Sequence, residues 1–134
     1  MEEKLDNLRN QCFAAVQDFE KALDIDLTRL DAQLIDVVQN GQVQKFEVAV
    51  EICWKTIKQF LYEIHGFDLA SPKMVIKNFF ELGYVTYEEL DQLLKAIDIR
   101  NSFSHVYNRT VFLELYAQIL EYKNFFLRIT QKLQ

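Results

Sequence analysis

The stretch IRNSFSHVYN, Ile99 to Asn108, crowds Arg100, Asn101, Ser104, His105 and Tyr107 into one short segment. These are residue types that handle phosphate and protons. Histidine, with an unperturbed pKa of about 6.5, takes or gives a proton near neutrality. Arginine brings a planar fork that grips phosphate and stabilises charge gathering on it. Together Arg100 and His105 suit metal-independent RNA cleavage, in which a 2′-hydroxyl attacks its own phosphate. Asn101 and Ser104 are then placed to orient that phosphate, and Tyr107 offers a hydroxyl. An architectural role stands beside this one. A lone histidine near a helix end is commonly a cap, and an inward arginine commonly pairs with an acid such as Glu47 or Glu51.

Thr86 and Glu89 make a capping box that opens a helix at Tyr87, running through Leu90, Leu93, Leu94 and Ile97. On a regular wheel with Leu93 at zero, Ile97 falls at about 40°, Leu90 at about 60° and Leu94 at about 100°. Arg100 comes at about −20°, Ser104 at about 20°, Asn101 at about 80° and His105 at about 120°, so the stripe expected to be buried turns polar. Burying a guanidinium without a partner is costly. The cluster is therefore expected to point inward, to an internal partner, a wet cleft or a second subunit.

The remaining elements follow from apolar spacing. Leu5, Leu8, Cys12, Ala15, Phe19 and Leu23 predict a helix over about 3–23. Residues 24–30 read as irregular, DAQLIDVVQ as a short helical piece, and Asn40-Gly41 as a break. Val43, Phe46, Val50, Trp54, Ile57, Leu61 and Ile64 mark a helix over about 42–65, ended by Gly66. Ser71-Pro72 starts a short helix closed by Gly83. Asn108 or Thr110 caps a final helix carrying Val111, Leu115, Ile119, Tyr122, Phe126 and Ile129. All three glycines thus fall at predicted helix ends. The expected fold is all-α, one domain over 1–134, with four main helices and one or two short extra turns in an antiparallel up-and-down bundle.

Fifteen Lys and Arg against 20 Asp and Glu give a formal charge of −5, a field that repels polyanions as a whole. DNA binding is not expected, and any RNA contact must rest on a local patch. The acidic start MEEKLDNLRN and the lack of an apolar run of spanning length argue against a membrane segment and for a cytoplasmic protein. Cys12 and Cys53 lie among apolar residues without metal-ligand spacing, so they read as buried reduced thiols, with no metal or cofactor expected. Glu51 and Lys55 form an i, i+4 pair on a helix that also carries Glu47, either a solvated face or part of a cleft lining. Trp54 reads as core, and His65, just before Gly66, as a residue favoured at a helix C-terminus.

RNSFSHVY resembles the motif of HEPN domains: an arginine, a polar residue, a histidine after four intervening positions, and a tyrosine two further on. FEVAVEICWK, Phe46 to Lys55, is similar to the pattern of the nucleotidyltransferase substrate-binding subfamily within that group, and SPKMVIKNFF resembles its Ser-Pro helix. At Ile99 the chain departs from many relatives, in which an acidic residue precedes the arginine. The resemblance implies a four- or five-helix bundle forming a homodimer or higher oligomer, with the Arg and His motifs of both copies lining a shared cleft for nucleotide or RNA. It further implies a separate minimal nucleotidyltransferase as partner in a two-component, toxin-antitoxin-like system. In the HepT-like branch the HEPN protein is a ribonuclease toxin, and the partner silences it by adding AMP to the motif tyrosine, here Tyr107. Arg100 and His105 would be catalytic; Asn101, Ser104, Tyr107, Glu47, Glu51 and Lys55 would line the substrate site.

Overall fold

The computed structural model describes residues 2–134, and four of its helices, α2 to α5, start at side-chain caps that the sequence supplies. In order they are α1 (Glu2–Leu23), α2 (Ala32–His65), α3 (Pro72–Glu81), α4 (Tyr87–Phe103), α5 (Arg109–Ile119) and α6 (Phe125–Gln131). Single 3-10 turns at Leu27–Arg29 and Leu120–Tyr122 complete the chain, and no strand occurs among the described residues. Asp31 caps α2 by accepting from the Leu34 amide at 2.9 Å, and Ser71 caps α3, with Pro72 following. The Thr86–Glu89 capping box closes at both ends, 2.9 and 3.1 Å. Of the two proposed caps for α5, Asn108 serves, accepting from the Val111 amide at 2.9 Å.

The fold is the helical bundle expected, built around α2. Antiparallel α1 is tied to it at both ends: Gln42 donates to the Ala22 carbonyl (2.7 Å) and Thr56 to the Leu8 carbonyl (3.3 Å). Phe19, Phe46 and Tyr122 meet edge to face at 5.7 and 5.5 Å, locking α1, α2 and the C-terminal segment into one core. The connection after Gly66 folds back so that Phe79 of α3 packs on Phe60, and α4 returns along α2 toward Glu51. Cys12 and Cys53 are free and buried between α1 and α2.

Three expectations change. The break at Asn40-Gly41 does not occur, because α2 runs unbroken for 34 residues. A mid-helix glycine costs only about 1 kcal/mol. Gln39, Gln42, Val43 and Phe46 are all buried across the site, and the Asn40 side chain bonds back to the Asp36 carbonyl at 2.8 Å instead of ending the helix. The stretch 24–30 is not wholly irregular, since Asp26 caps the 3-10 turn through the Thr28 amide. The final helix divides at Asn124, which adopts a left-handed φ of 68° and gives its amide to Glu20. That division supplies the sixth helix. Ile119, Tyr122, Phe126 and Ile129 are buried as expected, but in α5 they are joined by Phe112 and Tyr116 while Val111 is exposed.

Candidate functional site

Local chemistry at the end of α4 builds the motif. Ser102 Oγ turns back to the Asp98 carbonyl (2.9 Å), and the amides of Ser104 and His105 reach the carbonyls of Asn101 and Ser102 at 3.2 and 3.0 Å. These i→i+3 bonds tighten the last turn and end the helix without a glycine. The chain then extends through Val106 and Tyr107 to the cap at Asn108.

Arg100 points onto α2 as the wheel predicts. Its Nη2 lies 3.1 Å from Glu51 Oε2, the same oxygen that accepts from Trp54 Nε1 at 3.2 Å, while Lys55 Nζ sits 3.0 Å from Oε1. Burial pushes the Glu51 carboxyl up, but hydrogen bonds from Lys55 and Trp54 and the charges of Arg100 and Lys55 outweigh it and hold the group below its ordinary value. One turn earlier, Glu47 is half-buried; its own burial raises its carboxyl, and the Arg100 charge offsets only part of this. Arg100 Nε is buried with no hydrogen-bond partner among the described residues. Glu51 therefore supplies the counter-charge that the position of Ile99 does not. The ion pair anchors the guanidinium while leaving part of its donor set uncommitted.

The rest of the cluster does not point inward. Asn101, Ser104 and His105 are exposed, and Tyr107 is 88 % exposed. Two causes combine. The buried face of α4 swings from Leu93 and Ile97 toward Ile99 and Phe103, which sit at about −120° and −80° on the same wheel. The helix then stops at Phe103, so Ser104 and His105 leave the projection altogether. Arg100, Glu47, Glu51, Trp54 and Lys55 are thus gathered on one α2–α4 surface, with the exposed His105–Tyr107 segment at the end of α4.

Trp54, which reads from the sequence only as core, is half-buried and also a donor to Glu51. His65 ends α2 as expected and pairs with Tyr84 Oη at 2.6 Å. A second set of polar contacts has no local sequence signal because its members are far apart along the chain. Arg109 donates to Asp36 Oδ1 at 2.7 Å and to Gln39 Oε1, and Tyr116 Oη donates to buried Gln42 at 2.6 Å. Among the described residues no group of three or more His, Cys, Asp or Glu is arranged to hold a metal, and no helix is long and apolar enough to cross a membrane.

A crystal structure of a protein from Thermus thermophilus has the same fold, with a TM-score of 0.79 and 24% identity over 92% of this chain and 98% of that one. No curated protein matches the chain. The family described as nucleotidyltransferase substrate binding protein like matches residues 4–134, and the chain belongs to that family.

Proposed function

We propose that this chain is a cytoplasmic, single-domain HEPN subunit of HepT-like type that binds nucleotide or substrate for a separate minimal nucleotidyltransferase. The observation that carries the reading is the exposure of Tyr107, 88 %, on a short segment beside an arginine already anchored by Glu51. A tyrosine hydroxyl held out in this way suits attack on the α-phosphorus of ATP in a partner's active site. The Tyr107 oxygen gains AMP, pyrophosphate leaves, and the phenol proton passes to a base. Co-expression with the transferase should add the mass of AMP to the peptide containing Tyr107 and should give co-elution on a sizing column. An unmodified peptide and no nucleotide binding would defeat the proposal.

A second reading, a metal-independent endoribonuclease, is favoured by an Arg100 whose Nε is left unpaired among the described residues, five residues before exposed His105. The RNA 2′-oxygen would attack phosphorus and expel the 5′-oxygen, with His105 moving the proton and Arg100 and Asn101 holding the phosphate. Cleavage should survive excess chelator and should fall by at least about a hundredfold in His105→Ala or Arg100→Ala. Cleavage unchanged in both variants rules the reading out. The two readings are compatible, because a toxin held by a transferase is also its substrate.

The outward side of α2 supports assembly with a second copy. Leu34, Val37, Gly41, Gln44 and Val48 recur at steps of three and four there, with Val37 61% and Val48 50% exposed and nothing within 4 Å of a side chain placed at Gly41. An uncharged line at this spacing on a solvent face is the seam two helices use to pack together.

A further inference from the structure

Neither His105 nor Tyr107 is packed by neighbours, so their positions depend on what holds the backbone of Ser104–Asn108. Both ends of that segment are held by α2. Arg100 grips Glu51 before it, and Arg109, the first residue of α5, grips Asp36 and Gln39 after it. The two anchor points are 15 residues apart on α2, about 22 Å of helix.

We infer that Arg109 is a positioning residue, which pins the start of α5 to α2 and thereby fixes where His105 and Tyr107 stand. This rests on the proposed role of that segment. Arg109 does more than close a surface ion pair. One arm of its fork meets the Asp36 carboxylate at 2.7 Å, and the other meets Gln39, which is only 8% exposed. A buried amide oxygen facing α5 needs a donor, and Arg109 provides it. The guanidinium also lies 5.1 Å over the Phe112 ring, so its own next turn holds the fork in place. Lysine can reproduce the charge but not the planar two-armed fork that spans Asp36 and Gln39. Only Asn108 separates Arg109 from Tyr107, so slack at Arg109 passes directly to the tyrosine.

The test has two arms, so that this inference and the functional reading fail separately. Backbone hydrogen exchange followed by mass spectrometry reads the first without any activity. Arg109→Ala should speed exchange of the bonded amides that flank the segment, those of Ser104, His105, Val111 and Phe112, by about tenfold, while α1 and α3 keep their protection. Arg109→Lys should fall between, and the charge swap Arg109→Asp with Asp36→Arg should recover part of the loss. Unchanged exchange at those four amides, or equal loosening throughout the bundle, overturns the inference. The second arm measures AMP transfer to Tyr107: Arg109→Ala should lower kcat by about tenfold and leave KM for ATP unchanged. A rise in KM with kcat unchanged would equally overturn it. If the unaltered protein accepts no AMP, the functional reading falls alone, and the exchange arm still decides Arg109.

Discussion

Glu51 holds three donors at once, from Arg100, Trp54 and Lys55, and this makes it the organising residue of the candidate site. Its folded pKa is depressed, so its contribution to stability is fully present above the ordinary carboxylate value of 4.5 and is lost as pH falls through the lower folded value. Glu51→Gln should cost about 1 kcal/mol at pH 7, a figure kept small by the solvent around a partly exposed pair, and less at pH 3. Glu47 has the opposite sign. Its folded pKa is raised, so the associated stability is present below the ordinary value and is lost as pH rises through the folded one. Glu47→Gln should therefore stabilise by about 0.3 kcal/mol at pH 7 and should lose that gain at pH 3. Urea denaturation of both variants at the two pH values checks the signs; parallel shifts would contradict the assignment.

Among the helices, α2 is the one to which the others are tied. Continuous from Ala32 to His65, it receives Arg109 near its start, Arg100 at its middle and α3 toward its end. Gly41 lies inside this helix with open space around it, and Gly66 ends it at a φ of 75°. Alanine at these two positions should act oppositely. Gly41→Ala should raise stability by about 0.5–1 kcal/mol through helix propensity, whereas Gly66→Ala should lower it by about 1 kcal/mol because a Cβ disfavours the left-handed conformation. Thermal unfolding of the pair measures both.

For the whole molecule, the consequence concerns assembly. If a second copy covers the outward line of α2, Val37→Glu with Val48→Glu should convert the protein to a monomer with its helix content retained. Each change places a charge on a surface that now presents apolar atoms, and neither touches the core. Sedimentation and circular dichroism decide the matter; an unchanged mass removes α2 as the contact.

Fold class was legible in the apolar spacing and in Ser71, Thr86–Glu89 and Asn108, because caps and amphipathic stripes act within a few residues and need no distant partner. The residue types of the motif, and the direction of Arg100 toward α2, were readable for the same reason. Only tertiary structure decided the rest. Packing on both sides of Gly41 overrode a local break signal, and the long-range bond from Asn124 to Glu20 accompanied the division of the last helix. The swing of the buried face of α4 left Asn101 outward, and the early end of the helix did the same for Ser104 and His105. The tether from Arg109 to Asp36 and Gln39 joins residues that no helical period relates, so it exists only once the bundle has brought α5 onto α2.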